Sequence, residues 1–212
     1  MRILEWRVPP YDNGTYIVVD DRRDALVIDP SMGDRQIIEA VRDQSLHLVE
    51  ILNTHGHPDH IYGNAAVKEA TSARLAIHRL DRYRLGPERP ATTLEIPPCE
   101  ADDVFDEGPL GYVADLKLLA IHTPGHTEGS TCFYFERENV LFSGDVIFKG
   151  STGRWDLPGG DREAMERSLE RVMALPPQTK VYPGHGTPTT IGAEVPTLRS
   201  MRESGVLPGL RV

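Results

Sequence analysis

Thr54-His55-Gly56-His57-Pro58-Asp59-His60 is the stretch on which the reading of this chain turns. It sets three imidazoles and a carboxylate within six consecutive residues, His55 to His60, which ordinary turn chemistry does not ask for. Imidazole nitrogen and carboxylate oxygen suit zinc, iron and manganese, and no thiolate lies nearby to suggest a closed structural zinc site. The run follows Leu48-Val49-Glu50-Ile51-Leu52, a short apolar segment that reads as a buried strand, and Gly56 and Pro58 prevent a simple continuation as helix or strand. The cluster is therefore expected on a loop at a strand's end. Alternate residues of an extended, turning backbone aim His55 and His57 at one point and Asp59 and His60 at a neighbouring one, which suggests two metals.

Upstream, Ile3 to Val8, Thr15 to Val19 and Ala25 to Ile28 are apolar, β-branched runs separated by turn residues, an opening antiparallel meander. Asp29-Pro30-Ser31 closes its third strand. Ile37, Ile38 and Val41 predict a helix over Asp34 to Arg42, and His47 to Leu52 is the strand that feeds the histidine loop. Downstream, a helix is expected over Tyr62 to Thr71 and a strand over Arg74 to Ile77. Asp81 to Asp115, broken by five prolines and rich in acids, reads as an excursion over the surface. Strands follow at Leu116 to Ile121, Thr131 to Phe135, Val140 to Phe142 and Lys180 to Tyr182, with helices at Arg162 to Leu175 and around Ala193 to Glu203. This alternation favours α/β layering.

At 212 residues, with 39% apolar and 26% charged residues, the chain has the composition of a globular protein and is expected to form one domain over 1–212. No stretch approaches a membrane span, and the N-terminus has no signal core, so a cytoplasmic location without membrane contact is expected. The formal charge of −9 argues against nucleic acid as a partner. Cys99 and Cys132 read as two thiols rather than a disulfide.

Three more polar residues stand where strands end in glycine-bearing turns, the places where a scaffold presents side chains to a cleft. His126 lies in Thr123-Pro124-Gly125-His126, Asp145 follows Ser143-Gly144, and His185 follows Pro183-Gly184. Together with the loop they make five histidines and two aspartates, enough for two metals with a bridging carboxylate. His47, His78 and His122 match no ligand position; of these His122, four residues before His126, is a candidate to line the cleft or support a ligand.

In this order of motifs the chain resembles the metallo-β-lactamase superfamily, with its H-x-H-x-D-H loop and later His, Asp and His. The resemblance covers nearly the whole chain and implies a four-layer αββα sandwich. It implies that His55, His57 and His126 hold one metal, that Asp59, His60 and His185 hold the second, and that Asp145 bridges them. The cofactor it implies is two divalent ions, zinc first, with iron or manganese as alternatives. Asp59 would also orient the attacking hydroxide.

A second stretch, Ser143-Gly144-Asp145-Val146-Ile147-Phe148-Lys149-Gly150-Ser151-Thr152-Gly153-Arg154-Trp155-Asp156-Leu157-Pro158-Gly159-Gly160-Asp161, resembles the small glyoxalase II-like hydrolases. Arg154 lies where larger members carry a lysine that binds the glutathione carboxylate; Phe148, Lys149 and Trp155 are further substrate-contact candidates. The implied reaction is hydrolysis of an acyl-thiol ester such as S-lactoylglutathione. Typical glyoxalase II enzymes extend into a helical C-terminal region that has no counterpart after His185 here. The rival on the same scaffold is a mononuclear-iron persulfide dioxygenase, whose cysteine-containing segment is replaced here by Gly150-Ser151-Thr152-Gly153-Arg154; a lactonase or other ester hydrolase is the second.

Overall fold

The computed structural model describes residues 1–113 and 116–203. Among them, two six-stranded sheets pack face to face and carry helices on their outer faces. The first sheet begins as the expected meander, β1 (Arg2–Val8), β2 (Asn13–Val19) and β3 (Asp24–Ile28), all antiparallel. It continues in parallel through β4 (His47–Asn53), β5 (Arg74–His78) and β6 (Asp103–Phe105). The crossovers are α1 (Asp34–Asp43), α2 (Pro58–Ile61) and α3 (Asn64–Thr71).

In the second sheet, β7 (Gly108–Leu110), β8 (Leu118–His122), β9 (Thr131–Phe135) and β10 (Val140–Gly144) run antiparallel. A small hairpin, β11 (Ile147–Phe148) and β12 (Ser151–Thr152), leads to α4 (Arg162–Met173), whose first turn is capped by the Asp161 side chain on Ala164 N–H. Then β13 (Lys180–Pro183) joins parallel to β10, β14 (Thr189–Thr190) takes the edge, and α5 (Ile191–Glu203) follows.

Both faces of each sheet are covered, which explains why β2 reads as an unbroken apolar run rather than an alternation. Tyr16 and Val18 point between the sheets, where they meet Phe133, Phe135, Phe142 and Tyr182. Ile17 and Val19 point the other way, into a cluster with Ile37 of α1 and Val67 of α3. A third cluster joins Leu141 and Val181 to Met165, Leu169 and Val172 of α4. The four-layer αββα expectation is met.

Three local expectations need correction. Pro58 does not bar helix: it occupies the first turn of α2, where its missing N–H is one that a helix leaves unpaired anyway. Asp59 and His60 therefore sit on a helical turn rather than an irregular loop. The excursion from Asp81, whose final residue Asp115 lies outside the described residues, carries the end of a 3₁₀ turn (Arg79–Leu85) and then β6 and β7, one on the edge of each sheet. The glycine-rich stretch after Asp145 contains the β11–β12 hairpin.

Phe142 is fully buried at the junction of the sheets, with ring centroids 5.1 Å from Tyr16, 5.2 Å from Tyr182 and 5.8 Å from Phe135. Phe142→Ala is expected to lower stability by about 3–5 kcal/mol in urea denaturation, because a cavity there has rigid walls on both sides. Leu119→Ala, at a site 37% exposed, should cost less than about 1 kcal/mol.

Candidate metal centre

Strand ends from both sheets meet along one edge of the sandwich. Asp29 follows β3, Thr54 to His57 follow β4, Asp145 follows β10 and His185 follows β13. Backbone bonds lock the two sheets together there: Thr131 N–H donates to Thr54 O at 2.9 Å, and Gly14 N–H donates to Gly184 O at 2.7 Å. Gly184 is needed for close approach, since a Cβ at that position would stand 2.1 Å from Asp145 Oδ1.

All seven expected ligands converge. The side-chain donor atoms of His55, His57 and His126 lie within 4.8 Å of one another, as do those of Asp59, His60 and His185. Asp145 lies between these sets, 3.3 Å from His126 Nε2 and 3.4 Å from both His60 Nε2 and His185 Nε2. Ring nitrogens face each other directly, His57 Nδ1 to His126 Nε2 at 2.8 Å and His60 Nε2 to His185 Nε2 at 3.2 Å.

The opposite ring edges explain why these nitrogens are free to coordinate. Asp29 Oδ2 accepts from His60 Nδ1–H at 2.9 Å, Arg154 O accepts from His126 Nδ1–H at 2.6 Å, and Tyr11 O accepts from His185 Nδ1–H at 2.7 Å. Thr54 Oγ1 gives its one proton to Asp29 Oδ2 at 2.6 Å, so at 3.0 Å it accepts from His55 Nδ1–H. Four of the five rings thereby keep a proton on Nδ1 at the outer edge, so that Nε2 is aimed inward and is the nitrogen bared when the ring is neutral. His55 Nε2 and Asp145 Oδ1 are buried with no hydrogen-bond partner. A buried nitrogen lone pair and carboxylate oxygen left without a donor fit a divalent cation.

Asp29 could be counted as a ligand beside His55 and His60, but its oxygens are engaged. Oδ1 takes Thr54 N–H at 2.8 Å, and Oδ2 takes the Thr54 hydroxyl and His60. It orients ligands instead.

Charge sorts the site in the metal-free protein. Burial, followed by neighbouring rings, pushes His55 and His57 well below the usual imidazole range, so both are neutral. Burial also opposes charge on His60 and His185, but Asp145 and Asp59 outweigh it and raise them to about 9 and about 11. Burial opposes charge on the two aspartates as well. Even so, Asp59 is held well below the carboxylate range, chiefly by His60, and Asp145 well below it, chiefly by His185.

A cleft of about 240 Å³ opens over this cluster, walled by Tyr11, Leu94, Phe148, Arg154 and Leu157. Of the expected substrate contacts, Phe148 and Arg154 line it. Lys149 does not: it is exposed on the turn of the β11–β12 hairpin. Trp155 does not either, because its ring packs on the outer-face core beside α4 and lies under the Arg162 guanidinium. Arg154 forks onto Asp156 at 2.7 and 2.9 Å. His122 turns away from the ligands, stacking on His78 at 4.2 Å and reaching Glu128 O, while His47 pairs at the surface with Asp24. Cys132 is buried with its thiol pushed up to about 12 by burial, so it is no nucleophile.

Four contributors escaped the sequence reading. Asp29 carries the same signal as Asp145, an acid at a strand's end, but Pro30 made it look like a turn. Asn13, whose Nδ2 donates to Asp59 Oδ2 at 2.9 Å, looked like half of an Asn-Gly turn. Tyr11 acts through its carbonyl, which no side-chain pattern can reveal. Buried Asp81 ties the two histidine loops, accepting from Gly56 N–H, Gly129 N–H and the Thr127 hydroxyl at 2.7–2.8 Å, and its partners are 25 to 48 residues away.

Residues 10–185 match the family described as the Metallo-beta-lactamase superfamily. A hydroxyacylglutathione hydrolase of Pelagibacter ubique is 35% identical over 175 residues, 82% of this chain but 66% of that protein, so this chain spans about two thirds of that relative. The hydroxyacylglutathione hydrolase GloC of Haemophilus influenzae is 30% identical over 195 residues, 88% of this chain and 92% of that protein. Among solved structures, TTHA1623 in a di-iron-bound form has a TM-score of 0.83 at 33% identity, covering 92% of this chain and 98% of its own. The B3 metallo-beta-lactamase BLEG-1 has a TM-score of 0.82 at 33% identity over 92% and 97%. ETHE1 from Myxococcus xanthus has a TM-score of 0.77 at 26% identity over 98% and 92%.

Two outcomes follow from this geometry. Asp29→Ala should weaken divalent-metal affinity by about 10–100-fold in chelator competition while circular dichroism shows a folded protein, because His60 loses the partner that fixes its tautomer. Loading the wild-type apoprotein at pH 7 should release protons, since His60 and His185, raised to about 9 and about 11, carry protons that a cation must displace. Affinity should therefore rise as pH climbs from 7 towards 9, and calorimetry in buffers of different ionisation enthalpy should count the protons.

Proposed function

Because this chain belongs to the metallo-beta-lactamase superfamily, we propose that it is a metal-dependent hydrolase cleaving a small acyl-thiol ester of the S-lactoylglutathione type. The observation that carries this reading is the pair of ligand sets sharing Asp145 on the floor of an open cleft. A hydroxide available at neutral pH and an electrophile for the acyl oxygen are the chemistry that a divalent pair supplies when bound. The donor set suits zinc, and the di-iron-bound form of a similar protein supports iron as the alternative.

The chain's own residues supply the rest. Asp59 stays ionised, and Asn13 fixes its Oδ2, so that carboxylate orients the attacking water. Tyr11, Leu94, Phe148 and Leu157 give the acyl group a partly apolar seat that excludes bulk water. In the reaction the acyl carbon–sulfur bond breaks, the water oxygen joins the acyl carbon, and the sulfur leaves as thiolate. A thiolate leaves without a proton donor, which matches a cleft whose candidate acids are all committed to ligand roles. The Arg154–Asp156 pair is solvent-facing and weakly held, so a substrate carboxylate can take over the guanidinium fork.

Hydroxyacylglutathione hydrolase relatives support the thioester, whereas the B3 lactamase neighbour keeps a ring amide or lactone as an alternative on the same floor. The ETHE1 likeness keeps the mononuclear-iron dioxygenase as the other.

Metal content of protein purified without added metal, paired with thiol release from S-lactoylglutathione, tests the reading. Two metals per chain are expected, together with a rate that His57→Ala lowers at least about 1000-fold. One iron per chain with oxygen uptake on glutathione persulfide and no thiol release would overturn it.

A further inference from the structure

The cleft over the metal ligands does not end at Leu157. A second cavity of about 190 Å³ continues it, sharing His57, Pro58, Thr92 and Leu157 with the first. Two arginines of different standing line it. Arg84 is 2% exposed and engaged: its Nη2 donates to Glu128 Oε2 at 2.6 Å and to Pro158 O at 2.8 Å, and its Nε lies 3.4 Å from Asp81. Arg89 is half-buried, and among the described residues no carboxylate pairs with it. Pro90, Ala91 and Pro158 add apolar lining. In a chain of net charge −9, a half-buried guanidinium with no counter-ion, facing a cavity that opens onto the reactive floor, asks for an anion from outside.

We infer that this side cavity is the subsite for the leaving thiol, and that Arg89 recognises an anionic group, carboxylate or phosphate, at the far end of that thiol. The inference rests on the thioester reading of the cleft. With the scissile bond over the metal ligands, the acyl group lies towards Leu94 and Phe148, and the thiol arm runs past Leu157 along the Pro90–Ala91 wall to Arg89. Arg84, already neutralised, shapes the cavity but adds little attraction. Arg154 stands on the main cleft, so the two arginines address different anionic groups of the leaving thiol.

The test uses the metal-loaded full chain, as wild type, Arg89→Gln and Arg154→Gln. Hydrolysis of S-lactoylglutathione is compared with that of S-lactoyl-N-acetylcysteamine, whose thiol has no charge. Arg89→Gln is expected to lower kcat/KM for the glutathione ester about tenfold, through KM, and to leave the uncharged ester and the metal content unchanged. Calorimetric titration with S-methylglutathione and with S-methyl-coenzyme A, neither of which is hydrolysed, should show weaker binding by Arg89→Gln; the probe that loses more identifies carboxylate or phosphate. Equal effects on both esters, discrimination lost in Arg154→Gln but fully kept in Arg89→Gln, or wild-type binding of neither probe overturns the subsite. If wild type cleaves neither ester but binds a probe through Arg89, the thioester reading fails and the anion site stands.

Discussion

One buried carboxylate sets the terms for the site. Asp29 is almost completely buried where β3 ends, and it accepts from Thr54 N–H, the Thr54 hydroxyl and His60 Nδ1–H. A buried carboxyl group is costly unless its oxygens are hydrogen-bonded, and these donors engage both. The same three bonds join the ends of β3 and β4 to α2. They also decide which nitrogen of His60 faces the cluster and, through Thr54, which nitrogen of His55 does. A single acid thus converts strand register into the protonation pattern of two ligands.

Neither sheet holds the site alone. The H-x-H-x-D-H loop belongs to the first sheet, while His126, Asp145 and His185 belong to the second, so the donor atoms meet only when the sheets pack face to face. The aromatic layer of Tyr16, Phe133, Phe142 and Tyr182 sets that packing. Tyr16 reports the coupling in one residue: its ring sits in this layer and its hydroxyl donates to Pro183 O at 2.6 Å, two residues before His185. Core packing and ligand geometry are two ends of the same contacts.

What could be read in advance follows the range of each signal. The convergence of the seven side chains was legible because imidazoles clustered after a strand have few other uses, and the layers were legible because covered strands and amphipathic helices write their burial locally. Pro58 was misjudged because proline stops a helix from within but starts one from its first turn. Lys149 and Trp155 were over-read: proximity to Asp145 in sequence does not survive a two-residue hairpin, which turns one side chain to solvent, or a strand-to-helix link, which turns the other to the outer core. Asn13, Asp29 and Asp81 needed partners from 25 or more residues away before their roles existed at all.

The excursion between β5 and β8 deserves a different description from the rest of the chain. It lays β6 on one sheet and β7 on the other, and ahead of both, residues 92–94 line the cleft. No hydrogen bond among the described residues joins 86–99 to a metal ligand. The floor that carries the donor set and the wall of the cleft above it are therefore separately editable. Held between the Arg79–Leu85 turn and the edge strand β6, with Ile96 seated in the outer-face core, this segment can change its lettering along the cleft without disturbing a ligand, as a lock's wards are recut while its bolt is kept.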